Sequence, residues 1–270
     1  MTKKPKYLIE SSAVPVAMRE STRSHNEYFH DQISDGTIHT SIYIRKEFIH
    51  RWVMDYINLA NEVDHFGDVA QALSHIENDF RPRVVKGAMH AVATLLREKG
   101  TISNTREMST EIARLAVGML KKFDILFRSR IPVNTTGCKI GGKELEMDFE
   151  NIFDVLRSFV TSQATVLDCP VNVFLGKTNS GRARKLLAVH GVAQRTKSGK
   201  TLAELLDKGT WITCKECAMI GDAVIALEQP RPYCLVHLDK DFNVLCAAIS
   251  KDHKEVQSQR AIEREVRKDS

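Results

Sequence analysis

Carboxylate side chains stand beside short apolar runs near both ends of the chain. Glu10 follows the run at 7–9, and Asp239 follows the run at 235–238. Asp222 begins a third apolar run, which precedes the run at 235–238 in the sequence. Carboxylate oxygens that meet with no cation nearby to neutralise them favour a hard divalent cation such as Mg²⁺ or Mn²⁺. The residue types therefore predict an acidic metal site, provided that the two ends of the chain meet.

Strands and helices of an α/β fold can bring these acids together. The runs at 7–9 and 235–238 predict strands, and the β-branched stretch Thr37 to Ile44 predicts another. Helically spaced apolar residues after Arg45 predict a helix that keeps Glu47 near its buried edge. Active sites of such folds form at the carboxyl edge of the sheet. The expected acidic set is Glu10, Glu47, Asp222 and Asp239.

Two motif pairs resemble the PIN domain, a family of metal-dependent nucleases on a parallel α/β sheet. One is a strand ending in acid-x-Ser, followed by a helix with an embedded Glu. The other is Gly-Asp-Ala-x-Ile-Ala from Gly221, followed by Leu-Val-x-x-Asp-x-Asp-Phe from Leu235. The resemblance covers roughly residues 6–60 and 218–250, and the family includes the ribonuclease toxins of toxin–antitoxin pairs.

The resemblance implies a role for each matching residue. Glu10, Glu47, Asp222 and Asp239 would hold Mg²⁺ or Mn²⁺ as catalytic acids, Asp241 would be the accessory catalytic acid, and Ser12 would orient ligands or substrate. The metal would lower the pKa of a water molecule for attack on an RNA phosphodiester and stabilise the leaving oxygen. An antitoxin protein is the partner that a toxin of this family would have.

Two departures from the family pattern leave other interpretations open. Glu10 is one methylene longer than the usual Asp, so a catalytically weakened PIN-like module that binds RNA or protein is an alternative. The stretch between Glu47 and Asp222 is far longer than in compact members. A helical, zinc-stapled interaction protein with its acids on the surface is the third interpretation.

Helical patterns fill this long stretch. We expect an α/β fold with a PIN-like central parallel sheet flanked by helices, and a mostly α-helical insertion. The PIN-like domain would span 1–250, with its core at about 6–66 and 210–250 and the insertion at about 67–209, and 251–270 would be a charged tail. The predicted helices of the insertion are Val69–Ile76, Val84–Arg97, Ser109–Arg128 and Phe149–Val160.

Basic residues offer candidate contacts for a polyanionic substrate. The net charge is +5, which is compatible with an RNA partner but too mild to indicate one by itself. A Gly/Ser/Asn-containing stretch that leads into a helix carries the candidates, and a solvated loop is the alternative. The predicted substrate-binding cations are Lys177, Arg182, Arg184 and Lys185.

Six cysteines indicate a reducing compartment, so we expect a cytoplasmic protein. Cys214 and Cys217 form a C-x-x-C pair, and Cys138 and Cys169 could complete a structural Zn²⁺ site; an incidental pair is the alternative. No apolar run is long enough to predict a membrane partner. The oligomeric state stays open, a homo-oligomer included.

Two other enzyme classes lack their motifs. The chain contains no His-Glu-x-x-His pair, which a zinc protease needs, and no Gly-x-Ser-x-Gly elbow, which marks a serine hydrolase. Trp52 falls on the apolar stripe of the helix after Arg45, and we expect it in the core.

Overall fold

A computed structural model describes the chain over much of its length. The described residues are 4–18, 32–33, 35–79, 82–100, 105–127, 136, 171, 174–175, 180–188, 191, 195–208 and 214–256. They fall into two compact units. The first comprises the described parts of Met1–Glu47, Leu126–Gly142 and Gln163–Ser270, and the second those of Phe48–Ile125. Within these ranges, no helix has the length and apolar character to cross a membrane.

The first unit contains a parallel sheet whose four strands lie in the described ranges. They are β1 (Lys6–Ile9), β2 (Thr37–His39), β3 (Tyr233–His237) and β4 (His253–Glu255), in the order β2-β1-β3-β4. Ile9 pairs with Val236. The expected α/β class with a parallel sheet is therefore confirmed, and the two ends of the chain meet in its central strands.

Helices account for most of the remaining described structure. In chain order they are α1 (Val14–Met18), α2 (Ile42–Phe48), a π-helical segment (Ile49–Val53), α3 (Met54–Phe66), α4 (Val69–Asp79), α5 (Pro82–Lys99), α6 (Thr105–Phe127), α7 (Ser180–Ala188), α8 (Lys197–Lys208), α9 (Cys214–Met219), α10 (Gly221–Glu228) and α11 (Asp241–Ala248).

The central strands β1 and β3 are apolar because helices cover a parallel sheet on both faces. Leu8, Ile9, Leu235 and Val236 are all fully buried. All strands run the same way, so the residues after each strand gather at one edge of the sheet. Glu10 follows β1 at this edge, and its backbone N–H donates to the carbonyl of Val236 at 3.0 Å.

The second unit is helical where it is described. Its helices α4, α5 and α6 confirm three of the expected helices of the insertion, while the fourth, 149–160, lies outside the described residues. Gly67 ends α3 in a left-handed conformation (φ 66°) that glycine adopts without strain, and it donates to Val63. The unit begins at Phe48, whereas the sequence placed the start of the helical part near residue 67.

The second predicted strand is wrong beyond His39, where β2 ends. Ser41 accepts a hydrogen bond from the backbone N–H of Ile44 at 3.0 Å, and α2 begins at Ile42. A serine that caps a helix in this way satisfies one of its free N–H groups. The cap overrides the β-branched composition that had suggested a strand.

The expected burial of Trp52 is also wrong, since its side chain is 37 % exposed. The π-helical segment Ile49–Val53 carries Trp52. A π-helical turn holds an extra residue, so it shifts the apolar stripe out of phase with a regular helix. Ile49 and Val53 keep their places in the core, and Trp52 does not.

Strand β4 lies within the stretch 251–270 that the sequence assigned to a charged tail. Its register with β3 pairs Leu235 with His253 and His237 with Glu255. A strand at the edge of a sheet can be polar because one of its sides is open to solvent. The low hydrophobicity of this segment is therefore why the sequence did not predict a strand here.

Candidate acidic site at the carboxyl edge of the sheet

Glu10 is the most deeply buried acid of the predicted set, with 1 % of its surface exposed. Both carboxylate oxygens accept from the backbone N–H of Ser12, at 2.8 and 2.7 Å, and the Ser12 hydroxyl donates to one of them. Burial, with a smaller contribution from the charges of Glu47 and Asp222, raises the pKa of Glu10 to about 8, although the bonds from Ser12 oppose the rise. These effects identify Glu47 and Asp222 as electrostatic neighbours of Glu10.

Glu47 is oriented by residues from both ends of the chain. The hydroxyl of Ser11 donates to its Oε2 atom at 2.8 Å. Its Oε1 atom lies against Gly221, where any Cβ atom would overlap it. Glycine at the first residue of α10 therefore leaves the space that this carboxylate occupies. Neither Ser11 nor Gly221 was predicted to position Glu47.

Helices α2 and α10 run antiparallel and are joined at both ends. At one end, Glu47 near the end of α2 contacts Gly221 at the start of α10. At the other end, the Ser41 hydroxyl donates to the carboxylate of Glu228, and both residues are buried. The two contacts hold Asp222, the second residue of α10, beside the acids of β1 and α2.

Asp239 lies in the loop after β3 and Asp241 is the first residue of α11, at the same edge of the sheet as Glu10. Asp239 is exposed and accepts the backbone N–H of Asp241 at 3.0 Å, at the start of α11. Burial and the charge of Asp239 raise the pKa of Asp241, while the backbone N–H of Lys197 opposes the rise. The charges that act on Glu10 come from Glu47 and Asp222, so three of the four predicted metal ligands interact electrostatically.

A histidine pair borders the loop after β3. The Nε2 atom of His237 lies 3.2 Å from Nδ1 of His253. Burial, together with the neighbouring His253, lowers the pKa of His237 to about 4. His237 is therefore neutral near pH 7 and adds no positive charge to the acidic edge.

A buried lysine and a cysteine link α2 to the helix before Gly221. Tyr43 donates to the carbonyl of Cys217 at 2.7 Å. The Nζ atom of Lys46 lies 3.5 Å from Sγ of Cys217 and 4.9 Å from the centre of the Tyr43 ring. This cluster was not predicted, because a lysine in an amphipathic helix normally faces solvent.

The donor set of Glu10, Glu47 and Asp222 suits a hard divalent cation. All of its donors are carboxylate oxygens, and a cation would relieve the repulsion that contributes to the raised pKa of Glu10. Over the described ranges, no three His, Cys, Asp or Glu side chains are already grouped as metal ligands. Glu10 in particular is turned toward Ser12, so ion binding would require its carboxylate to rotate.

The expected zinc and phosphate contacts are described only in part. Cys138, Cys169 and the side chain of Cys214 lie outside the described residues, so the zinc site stays a prediction. The same holds for Lys177 and for the side chain of Arg182. Arg184 and Lys185 are exposed on α7.

Comparison of the chain with models of protein families, with curated proteins and with solved structures finds no match. The likeness to PIN domains therefore rests on the motifs alone. A function has to be argued from the chemistry of the acidic edge.

Proposed function

We propose that this chain is a divalent-metal-dependent endoribonuclease of the PIN type that hydrolyses RNA phosphodiesters. The observation that carries the proposal is the environment of Glu10. It is a buried carboxylate whose pKa is raised to about 8 by burial and by two neighbouring acids, Glu47 and Asp222. Strongly perturbed acids gathered at the carboxyl edge of an α/β sheet are typical of functional sites.

The chain supplies oxygen ligands and the groups that orient them. Glu10, Glu47 and Asp222 would hold Mg²⁺ or Mn²⁺, with Asp239 reaching it from the loop after β3. When bound, the metal would activate a water molecule for attack on phosphorus and stabilise the leaving oxygen. Ser11 keeps the Glu47 carboxylate in one orientation through its hydrogen bond.

The charge of the acidic site is compatible with a phosphodiester substrate only when a cation is bound. Three carboxylates alone would repel a phosphate, whereas a bound divalent ion would offset two of their negative charges and offer the phosphate oxygens a cation to contact. Exposed cations lie on the neighbouring helices, including Arg184 and Lys185 on α7. α7 packs against α8, and α8 packs against α10, which starts at the acidic site.

The test is cleavage of labelled RNA by the purified chain with Mn²⁺. Asp222→Asn and Glu47→Gln each remove one ligand charge with little change in shape, and Asp239→Asn tests the loop. We expect each to lower the rate by at least about tenfold, on the scale of lost transition-state charge stabilisation. Asp207→Asn, an exposed acid near the end of α8, is the matched control and should cleave normally. Equal rates in all five proteins would reject the proposal.

A second candidate function is a catalytically weakened module that binds RNA or protein. The specific observation in its favour is that Ser12 already satisfies both oxygens of Glu10. Mn²⁺ binding by calorimetry without any cleavage would support this candidate. Glu10→Asp separates the two, because a large gain in rate would show that the longer side chain limits the native site.

A toxin of a toxin–antitoxin pair is the biological role that the motifs suggest. The partner would then be an inhibitory antitoxin protein that occupies the acidic edge. Growth arrest on expression of the chain, relieved by Asp222→Asn, would support this role, and normal growth with active enzyme would oppose it.

A further inference from the structure

A buried lysine lies against a buried cysteine where α2 meets α9. The Nζ atom of Lys46 donates to Sγ of Cys217 at 3.5 Å, and the two residues are 2 % and 5 % exposed. They are 171 positions apart in the sequence, so the contact depends on the tertiary fold. Lysine is almost never fully buried unless it is paired. The position of this amine is therefore not explained by helix packing alone.

Tyr43 holds both partners in place. Its hydroxyl donates to the carbonyl of Cys217 at 2.7 Å and lies 3.5 Å from the sulfur. Its ring faces the amine, with Nζ of Lys46 4.9 Å from the ring centre. Two side chains of α2 thus converge on one residue of α9. Holding two reactive groups in contact in this way favours a reaction between them.

The surroundings of Cys217 differ from those of the zinc ligand that the sequence predicted. A zinc ion would lie about 2.3 Å from the sulfur. The sulfur instead faces the amine of Lys46 and the hydroxyl of Tyr43. A protonated amine at contact distance repels a second cation at the same sulfur. These contacts favour chemistry between nitrogen and sulfur over metal binding.

Helix α9 separates Cys217 from solvent. Ala218 and Met219 of this helix are exposed, and the helix has only six residues. A helix this short is marginally stable by itself and can open locally while the rest of the fold stays intact. Such an opening admits an oxidant as small as hydrogen peroxide to the sulfur. We therefore expect oxidation at this site to be slow.

We propose that Lys46 and Cys217 form an oxidation-dependent covalent cross-link in which one oxygen atom bridges Nζ and Sγ. The oxidant is a peroxide. An oxygen bridge suits the pair better than a direct nitrogen–sulfur bond, because it requires a smaller approach from the observed 3.5 Å. The cross-link does not depend on the proposed ribonuclease activity.

Two molecules of hydrogen peroxide balance the reaction. The first gives one oxygen atom to the sulfur, and its other oxygen leaves as water with the thiol proton, so Cys217 becomes a sulfenic acid. The second accepts two electrons as the sulfenic oxygen bonds to Nζ of Lys46. The sulfenic hydroxyl loses its proton, and the ammonium group loses two. Two of these three protons convert the second peroxide into two water molecules, and the third enters solvent.

The test is peptide mapping by mass spectrometry of the full chain after treatment with hydrogen peroxide. We expect the peptides around Lys46 and Cys217 to be joined, and heavier than their sum by one oxygen atom less two hydrogen atoms. Trypsin should not cleave after Lys46, and excess dithiothreitol should restore both peptides. The absence of a joined peptide, its lack of the oxygen atom, or its survival in dithiothreitol would overturn the proposal.

Matched variants assign the two atoms. Lys46→Met keeps a long apolar side chain at the buried position, and Cys217→Ser removes the sulfur, so each should abolish the joined peptide. Cys234→Ser, at a less buried cysteine of β3, is the control and should cross-link as the unaltered chain does. The joined peptide is sought in the unaltered chain as well, so a variant that failed to fold would leave the test valid. Protection of Cys217 from peroxide by one bound zinc ion per chain would overturn the proposal in favour of a zinc ligand.

The cross-link would also fix α2 against α9 beside the acidic site. The Tyr43 hydroxyl lies 3.6 Å from the position of the Cβ atom that Gly221 lacks, and Lys46 directly precedes Glu47. A covalent link between distant positions restricts the unfolded chain. Peroxide should therefore raise the urea midpoint of the unaltered chain, relative to its reduced form, more than it raises that of Lys46→Met. Equal changes in the two proteins would overturn this stabilising role.

Discussion

The carboxylate of Glu47 occupies the space that a side chain at Gly221 would fill. The contact joins two residues that lie far apart in sequence and sets how closely α2 can approach the start of α10. Ser11 completes the arrangement with its hydrogen bond to the other oxygen of Glu47. The acidic site thus depends on a residue that contributes no side chain.

Gly221→Ala should displace Glu47 and weaken Mn²⁺ binding and cleavage to about the level of Glu47→Gln. Alanine within a helix is otherwise favoured over glycine by about 0.5–1 kcal/mol, so the helix itself should not suffer. Calorimetry with Mn²⁺ and the cleavage assay measure the effect. Gly118→Ala is the control, because nothing lies within 4 Å of the Cβ that it would add. If Gly221→Ala binds Mn²⁺ with the affinity of the unaltered chain, the close contact between Glu47 and Gly221 does not contribute to metal binding.

The stability of the metal-free protein should depend on the ionisation of Glu10. Its pKa is about 8 in the folded chain against an ordinary value of 4.5, so the folded state holds a proton that the unfolded state has released. The free energy of unfolding should therefore fall as the pH rises from about 4.5 to about 8, and this contribution should level off above that.

Urea unfolding in EDTA across this range measures the dependence on Glu10. Glu10→Gln removes the ionisable group, so its free energy of unfolding should change less with pH than that of the unaltered chain. The variant should therefore gain stability relative to the unaltered chain as the pH rises. Parallel pH profiles for the two proteins would mean that the pKa of Glu10 does not differ between the folded and unfolded states.

A bound divalent cation should counteract the loss of stability that accompanies a rise in pH. Ligands that bind only the folded state stabilise it by RT ln(1 + [L]/Kd), which is about 2.7 kcal/mol at a hundredfold excess over Kd. We expect Mn²⁺ to raise the melting temperature at pH 8, and Asp222→Asn to lose most of that rise. Asp207→Asn should keep the full rise. An equal rise in both variants would place the ion elsewhere.

Ser41→Ala should destabilise the fold by about 1–3 kcal/mol. The substitution removes the donor to the buried carboxylate of Glu228 and the cap on the N–H of Ile44. Ser198→Ala is a matched control, since Ser198 is equally buried but its hydroxyl has no hydrogen-bond partner where the chain is described. Urea unfolding should separate the two serines, and similar losses would argue against the link between α2 and α10.

Local sequence was enough to predict several of these elements. The run that precedes Glu10 and the run that precedes Asp239 form strands β1 and β3, and the run after Gly221 forms α10. Each is apolar and bounded by polar or turn-forming residues, so its type depends on neighbours in sequence. The helices α4, α5 and α6 were predicted for the same reason.

Tertiary structure alone decided which residues shape the acidic site. The bonds between Ser11 and Glu47 and between Ser41 and Glu228 both join segments far apart in the chain. Periodicity reports which face of an element is apolar, but it carries no information about which polar atoms meet across that face. The sequence therefore determined the acids and their elements, and only the packing of those elements determined that Glu10 would lie buried beside two further negative charges.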